Sequence, residues 1–392
     1  MNFDAEMDAL KQTNQYRSLK VLEPSEGPWI SWEGRRLLNL GSNDYLGMSQ
    51  HPEVKKAFIQ GIETWGTGAG ASRLVSGTKS AHRDLEKALA VFSHKESSLL
   101  FPSGYMANLG LISALAGKDD WVILDKIDHA SIVDGARLSE AVLRVFPHLD
   151  YEALERLLQK APSDKKKIIV TDTLFSMDGD AADMKRLAEL KEKYGALLIA
   201  DEAHGVGIFG KNGGGWALEQ GVMDAVDFKV GTLSKAFGLQ GGYVAASRSA
   251  VEFLTNRCRP FIYTTGILPA LCVAALKVLE LFRGMQKERE ALRALAGWLR
   301  EQLRAAGLET LDSVSQIIPV VVGDNAKVLE LEKQLREMHF FVPAIRHPTV
   351  KKGSERLRLS LTLGMDQKML EPLLAVLSHF RITRQARLEI SR

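Results

Sequence analysis

The sequence has only two cysteines, Cys258 and Cys272, among its 392 residues. They form no CxxC pair, and no cysteine–histidine cluster has the spacing of a metal site. This scarcity excludes a disulfide framework and a structural zinc site as sources of stability. It also fits a protein of a reducing compartment.

Long apolar runs are missing as well. The first residues, MNFDAEMDALKQ, carry acidic side chains and no apolar core, so they indicate no secretory signal peptide. No uninterrupted apolar stretch approaches the roughly 18 residues that a membrane-spanning helix needs. The sequence therefore predicts a cytoplasmic protein without a membrane partner.

Neither sign of charge is in large excess. The chain has 51 Lys and Arg residues against 48 Asp and Glu, a net charge of +3. This balance predicts no nucleic-acid partner, although a local basic patch could still bind an anionic cofactor. What the chain does have is a globular composition, with 45% hydrophobic and 25% charged residues. That much apolar surface excludes disorder as its main state.

Apolar strand patterns alternate with helical patterns between residues 50 and 250. The strand patterns lie at 97–101, 121–125, 141–146, 167–172, 196–201 and 227–232. Strands that are apolar nearly throughout, separated by helices, are typical of a mostly parallel sheet with helices on both faces. The sequence therefore predicts an α/β fold.

The last third of the chain has a different pattern. A long amphipathic helix over about 268–305, interrupted near Gly284, precedes strand patterns at 340–345 and 356–362 that have no helix between them. This arrangement favours a smaller α+β domain. We predict an N-terminal helix and arm at 1–45, a large α/β domain at 46–285 and a C-terminal α+β domain at 286–392.

Three motifs resemble nucleotide-binding sequences but lack the required context. The glycine cluster at 66–70 has no preceding strand, which a dinucleotide-binding loop needs. Residues 201–204 spell DEAH and 205–211 nearly spell a Walker A loop, but Asn212 stands where Ser or Thr would ligate Mg²⁺. The two segments also leave no room for a strand and a helix between them. A nucleotide hydrolase is therefore disfavoured.

Two polar segments that follow buried strand patterns carry the strongest chemical signal. Asp201 ends one strand, and Lys235 lies in a turn just after the next. Ligands of open α/β sheets bind at the carboxyl ends of strands, so both side chains are expected in one crevice. A lysine there could form a Schiff base, and a buried aspartate needs a cation such as a protonated pyridine nitrogen. Taken singly, the position of Lys235 favours a solvated loop residue, whereas Asp201 is equally consistent with a helix N-cap.

These segments resemble the α-oxoamine synthase family of fold-type-I transferases, which depend on pyridoxal 5′-phosphate (PLP). The resemblance is carried by TDTLFSMDGD (171–180), DEAHG (201–205) and GTLSKAFG (231–238), and it extends from about Arg17 to Thr362. It implies a large domain with a mostly parallel sheet covered by helices, and a smaller C-terminal α+β domain. It also implies a decarboxylative condensation of an amino acid with an acyl thioester.

Two further segments narrow the implied reaction. GAGASRLVSGT (68–78) and the run at 320–362 are most similar to family members that join L-alanine to a pimeloyl thioester of CoA or a carrier protein. Sister reactions with glycine or serine stay open, as does a catalytically inactive scaffold subunit. The family commonly continues after RLRLSLT with a small residue and a histidine, whereas residues 363–366 read LGMD here. We therefore transfer no role beyond Thr362.

The resemblance implies a role for each residue of the cofactor site. Lys235 is implied to hold PLP covalently and to remove the α-proton of the amino acid. Asp201 is implied to keep the pyridine nitrogen protonated, and His129 to stack on the ring. The remaining implied cofactor contacts are Gly104, Tyr105, Ser176, His204 and Thr232. Gly104 and Tyr105 open a helix after a strand, where N–H groups attract a phosphate.

Substrate and subunit contacts are implied in the same way. Arg358 is implied to bind the amino-acid carboxylate, which a bidentate guanidinium suits, although Arg356 and Arg358 could both be surface residues of one strand face. The implied acyl-substrate contacts are Arg17, Arg346 and Thr349. The segment 76–78 resembles one that reaches the phosphate of a partner subunit, so we expect a homodimer with its active site at the interface.

Overall fold

The structure is a computed structural model that describes residues 3–379. Residues 1 and 2 of the predicted N-terminal arm and residues 380–392 of the predicted C-terminal domain lie outside the described residues. Contacts group the chain into two compact units. The large unit comprises Met48–Phe175 and Ala181–Arg289, and the small unit comprises Ser176–Asp180 with the residues before Met48 and after Arg289. The three-part division at residues 45 and 285 stays a prediction.

Helices and strands follow one another along most of the chain. The helices are α1 (Phe3–Gln12), α2 (Pro52–Trp65), α3 (Ser80–Phe92), α4 (Gly104–Leu115), α5 (Ala130–Leu138), α6 (Tyr151–Lys160), α7 (Met184–Tyr194), α8 (Trp216–Glu219), α9 (Arg248–Arg257), α10 (Arg259–Ile262), α11 (Pro269–Phe282), α12 (Gln286–Ala305), α13 (Asn325–Glu337) and α14 (Gln367–His379). The strands are β1 (Glu23–Glu26), β2 (Trp29–Trp32), β3 (Arg35–Asn39), β4 (Ser97–Phe101), β5 (Trp121–Asp125), β6 (Val142–Phe146), β7 (Lys167–Asp172), β8 (Leu197–Asp201), β9 (Phe228–Thr232), β10 (Gly242–Ala246), β11 (Ile317–Val321), β12 (Phe340–Phe341), β13 (Ala344–Ile345) and β14 (Arg356–Ser360). No helix within residues 3–379 is long and apolar enough to cross a membrane.

The large unit is built on a mostly parallel sheet, as the apolar strand patterns predict. Its described strands are ordered β4-β10-β9-β8-β7-β5-β6. Strands β5 to β9 run parallel, whereas β10 is antiparallel to both β4 and β9. The sequence analysis did not predict β10, which follows the turn that carries Lys235.

Both faces of this sheet are buried. Along β5, Val122 and Leu124 belong to one hydrophobic cluster and Ile123 to the other. Because side chains of a strand alternate between the two faces of a sheet, each face has its own core against the covering helices. The apolar core thus fixes the strands, and their carboxyl ends remain open to polar residues.

The small unit contains two sheets, ordered β1-β2-β3-β12 and β11-β14-β13 among the described residues. The N-terminal arm forms β1 to β3, strands that the sequence analysis did not predict. Pro24 is compatible with this arrangement because β1 lies at the sheet edge, where a residue without a backbone N–H is tolerated.

Candidate active site

The large unit contains a cavity of about 250 Å³ where the ends of β7, β8 and β9 meet the first turns of α4 and α5. We call it the strand-end cavity. It is lined by these residues predicted from the sequence: Gly104, Tyr105, His129, Asp201, His204, Thr232 and Lys235. The other predicted residues, which belong to the small unit, are Arg17, Ser176, Arg346, Thr349 and Arg358.

Asp201 is a buried carboxylate without a cationic partner. It ends β8 and is 4% exposed. The Asn108 side-chain amide donates to Oδ2 at 2.6 Å, and the Ala203 N–H donates to Oδ1 at 2.8 Å. Within the described residues no Lys, Arg or His nitrogen forms an ion pair with it. Because a buried carboxylate is costly unless a cation compensates it, the cavity fits a group with a protonated ring nitrogen.

Lys235 is positioned by the turn that joins β9 to β10. The Leu233 N–H donates to the Gly241 carbonyl at 2.9 Å, and the Gly238 N–H donates to the Lys235 carbonyl at 2.8 Å. Gly238 has a φ of +65°, and a Cβ there would lie 2.1 Å from the backbone nitrogen of Ser49, so only glycine fits. The Lys235 amine lies 2.8 Å from His204 Nε2. The fold thereby fixes an amine and an imidazole side by side.

His129 is the N-cap of α5 and is held at its δ nitrogen. The Ser131 Oγ lies 2.7 Å from Nδ1, and the Ser131 N–H donates to Nδ1 at 3.3 Å. The surrounding protein removes water from part of the ring and thus lowers the pKa of His129; Asp201 opposes this shift and Lys235 adds to it. A neutral imidazole is suited to stacking on an aromatic ring.

One end of the cavity is suited to an anion. Helix α4 begins at Gly104, and its N-cap Ser103 accepts a hydrogen bond from the Met106 N–H at 3.2 Å. The first N–H groups of a helix lack intrahelical acceptors and attract negative charge. The Thr232 hydroxyl lines the same cavity; it donates to the Gly241 carbonyl at 2.9 Å and lies 2.7 Å from Ser234 Oγ.

Arg356 and Arg358 differ although both lie on β14. Both are buried, 4% and 5% exposed, so the interpretation as surface residues is wrong. Arg356 pairs with Asp178 at 2.7 Å. Arg358 donates to the Ser176 carbonyl at 2.6 Å and to Asn43 Oδ1 at 3.2 Å, and no carboxylate among the described residues pairs with it. A buried guanidinium that lacks an anion is a fitting anchor for a carboxylate ligand.

The predicted acyl-contact residues lie together in the small unit, around a second cavity of about 540 Å³. Arg17 donates to Thr349 Oγ1 at 2.9 Å. Arg346 donates to the carbonyls of Asn14 and Tyr16, at 2.5 and 3.0 Å. Burial, with Arg17 as a smaller contribution, lowers the pKa of Arg346, while Glu332 opposes the shift. Arg346 thus holds the chain segment that carries Arg17.

Among the polar residues of the strand-end cavity that the sequence analysis did not predict are Asn108, Ser131 and Asp172. Asn108 follows Gly104 by one helical turn within the otherwise largely apolar sequence of α4. An amide on a buried helix face was a signal that the sequence offered, because buried polar side chains need partners. Asp172 accepts the backbone N–H of His129 at 2.8 Å, which no local pattern indicates.

A buried charged pair supports the segment that contains Asp201. Glu202 and Lys229 are both 0% exposed. Glu202 accepts the N–H groups of Trp216 and Ala217, at 2.8 and 2.7 Å, and Lys229 donates to the Gly214 carbonyl at 2.7 Å. Burial lowers the pKa of Lys229 to about 8, and the negative charge of Glu202 opposes this shift. The pair fastens the glycine-rich loop that follows the DEAHG segment.

Replacing Lys229 by methionine is expected to lower the free energy of unfolding by about 1–3 kcal/mol, because the Gly214 carbonyl would lose its buried donor and Glu202 would lose a nearby opposite charge. Denaturant unfolding followed by circular dichroism measures the change. The double variant Lys229→Met/Glu202→Gln is expected to lose less than the sum of the single changes. Additive losses, or a Lys229→Met protein as stable as the exposed-site control Lys211→Met, would contradict this account.

Comparison with known proteins connects this geometry to a family. Residues 35–377 match the family model described as aminotransferase class I and II. The 8-amino-7-oxononanoate synthase of Citrifermentans bemidjiense is 44% identical over 371 residues, which cover 94% of this chain and 95% of the relative. The 8-amino-7-oxononanoate synthase of Geobacter sulfurreducens is 44% identical over 375 residues, 95% of this chain and 96% of the relative.

Solved structures agree with these sequence relatives. A serine palmitoyltransferase of S. paucimobilis with a bound PLP–myriocin aldimine has a TM-score of 0.91 and 31% identity, and the match covers 98% of both chains. An 8-amino-7-oxononanoate synthase of Francisella tularensis has a TM-score of 0.77 and 29% identity, over 88% of this chain and 97% of that one. The resemblance to α-oxoamine synthases and the predicted fold-type-I α/β class are confirmed.

Proposed function

Because this chain belongs to the aminotransferase class I and II family, we propose that it condenses L-alanine with a pimeloyl thioester of CoA or a carrier protein. The products are 8-amino-7-oxononanoate, CO₂ and the free thiol, as a step of biotin biosynthesis. Two 8-amino-7-oxononanoate synthases that are 44% identical to this chain over nearly its whole length support the proposal. The cofactor is PLP, which a solved relative binds.

The observation that carries the proposal is that the strand-end cavity contains both a buried carboxylate and an amine, each of which PLP could bind. Asp201 is a buried carboxylate that forms no ion pair within residues 3–379, and Lys235 presents an amine beside His204. PLP offers a ring nitrogen that can be protonated, an aldehyde for the amine and a phosphate for the start of α4. When bound, PLP accepts the electrons that are released as a bond to the α-carbon of the amino acid breaks.

The side chains of the cavity hold the cofactor and move protons. Lys235 would hold PLP covalently through Nζ. Once the amino group of the substrate has replaced it on the cofactor, the released Lys235 amine would accept the α-proton at Nζ, with His204 Nε2 within hydrogen-bond distance of that amine. Asp201 keeps a proton on the ring nitrogen, and His129 stacks on the ring. Gly104, Tyr105 and Thr232 bind the phosphate, and Ser176 and His204 bind nearby polar groups of the cofactor.

The substrates are bound by residues of the small unit. Arg358 binds the carboxylate of L-alanine through its fork of N–H donors. Arg17, Arg346 and Thr349 contact the acyl substrate, and the bonds of Arg346 to the N-terminal arm keep Arg17 in place. Holding two substrates in one orientation removes the entropic cost of their encounter, a contribution of up to ~7–11 kcal/mol.

The active protein is proposed to be a homodimer in the cytoplasm. Its segment Arg73–Gly77 presents Leu74 and Val75 to solvent, 53% and 80% exposed. Adjacent aliphatic side chains of this kind are typical of surfaces that a protein partner covers. Residues 76–78 begin directly after Val75 and would reach the phosphate of the other subunit.

A matrix of substrates tests the proposed reaction. With PLP present, L-alanine and pimeloyl-CoA or pimeloyl carrier protein are expected to give a kcat/KM at least ~10-fold above that for glycine with acetyl-CoA or serine with palmitoyl-CoA. Release of thiol and CO₂ is measured for each pair. Faster turnover of glycine with acetyl-CoA would assign the chain to a sister reaction such as that of glycine C-acetyltransferase. No turnover and no PLP binding would indicate an inactive scaffold subunit.

A further inference from the structure

A continuous chain of hydrogen bonds connects two residues of the strand-end cavity. The Asn108 side-chain nitrogen donates to Asp201 Oδ2 at 2.6 Å and to Ser131 Oγ at 3.0 Å. Ser131 Oγ in turn lies 2.7 Å from His129 Nδ1. Asn108 and Ser131 are buried, at 1% and 0% exposed. Water therefore cannot replace the bonds between them at low cost.

The close approach of α4 and α5 makes this chain possible. A Cβ on Gly135 would lie 3.1 Å from the Asn108 carbonyl and 3.2 Å from the Leu109 Cα. Glycine at this position lets the two helices approach closely, and Ser131, one turn earlier on α5, then reaches Asn108 on α4. Asn108 itself lies about 6 Å along the helix axis from Gly104. One rigid helix thus carries both the proposed phosphate contact and the amide beside Asp201.

The direction of the bonds follows from the chemistry of the groups. The Ala203 N–H donates to Oδ1 of Asp201. The two N–H groups of the Asn108 amide donate to Oδ2 of Asp201 and to Oγ of Ser131. The Ser131 hydroxyl then donates its own hydrogen to His129 Nδ1, and the Ser131 backbone N–H donates to the same nitrogen. Nδ1 is consequently an acceptor, and the neutral ring carries its hydrogen on Nε2.

We propose that Asn108 and Ser131 are positioning residues, which fix the ring-stacking imidazole of His129 and the carboxylate of Asp201 as one unit. This inference rests on the proposed function, since both residues act through the groups that would hold PLP. Asn108 directs Oδ2 of Asp201, and Ser131 keeps His129 neutral with a defined orientation of its ring. A change at Asp201 is therefore transmitted through these hydrogen bonds to His129, and a change at His129 is transmitted to Asp201.

The first test concerns His129. In the PLP-loaded protein, Ser131→Ala removes the hydroxyl that donates to Nδ1, so the protonated ring becomes less disfavoured. The pKa of His129 is expected to rise by about half a unit to one unit, measured by NMR of ¹⁵N-labelled histidine with His129→Gln for assignment. The acidic limb of the kcat/KM profile is expected to move to higher pH with it.

The second test concerns the affinity for PLP. Asn108→Leu keeps the side-chain size but removes both N–H donors, and it is expected to weaken PLP binding about tenfold, measured by fluorescence titration. It is also expected to lower kcat ~10–100-fold while KM for L-alanine changes less than about threefold. In the Asn108→Leu background, Ser131→Ala is expected to have a smaller effect on PLP affinity than it has alone.

Ser139→Ala is the matched control. Ser139 is a buried serine at the other end of α5, and its hydroxyl donates to the Ala136 carbonyl at 2.6 Å. It is expected to reduce stability without moving the pKa of His129 or the affinity for PLP. Variants at Asn108 and Ser131 that change only stability, as this control does, would overturn the inference. A wild-type protein that binds no PLP would overturn the proposed function instead.

Discussion

Replacing Lys235 by alanine is expected to abolish covalent attachment of PLP and to lower kcat at least ~10⁴-fold. Lys235 is the one lysine that lines the strand-end cavity in the part of the chain that the structure describes. Its amine lies 2.8 Å from His204 Nε2. Because this one amine is proposed both to bind PLP and to accept the proton, a single change removes both functions. Borohydride reduction followed by mass spectrometry of peptides measures the attachment.

The control for this experiment is Lys211→Ala. Lys211 is an exposed residue of the segment that nearly spells a Walker A loop. If PLP chemistry is the activity, this variant keeps the trapped cofactor and turnover near the wild-type values. Reduced cofactor found on a lysine other than 235, or undiminished turnover in Lys235→Ala, would contradict the role assigned to Lys235.

The sheet and the two central residues of the cavity could be predicted because their signals are local. Asp201 and Lys235 each follow a strand whose apolar pattern is visible in a handful of residues. The general rule that ligands bind at strand ends then brings the two together without knowledge of the packing. Strand β10 escaped prediction because its pattern follows a glycine-rich turn that the apolar criterion treats as loop.

The hydrogen-bond partners of the site could not be predicted, because tertiary packing decides them. Asn108 and Ser131 meet only since Gly135 lets α4 and α5 approach each other. The two arginines of β14 have the same alternating pattern. Arg356 nevertheless pairs with Asp178, 178 positions away in the sequence, whereas Arg358 pairs with no carboxylate of the residues that the structure describes. Only the structure distinguishes a paired guanidinium from one that is available to a ligand.

This difference makes Arg356 and Arg358 a matched pair for experiment. Arg358→Leu is expected to lower kcat/KM for L-alanine ~10²–10³-fold, mostly through KM, because the substrate carboxylate would lose a buried, charged partner. Arg356→Leu is expected to lower the free energy of unfolding by about 1–3 kcal/mol, since it removes the buried ion pair with Asp178, and to change KM less than about threefold. Steady-state kinetics and denaturant unfolding measure the two effects.

Chemical rescue separates a lost binding group from a general disturbance of β14. Guanidinium ion added to Arg358→Leu restores a diffusible donor fork and is expected to recover part of kcat/KM, whereas the same ion leaves the kinetics of Arg356→Leu unchanged. Arg358→Lys keeps the charge without the fork, so its loss should fall between wild type and Arg358→Leu. Equal KM effects of the two leucine variants, with no rescue of either, would show that Arg358 shapes the strand and does not bind the carboxylate.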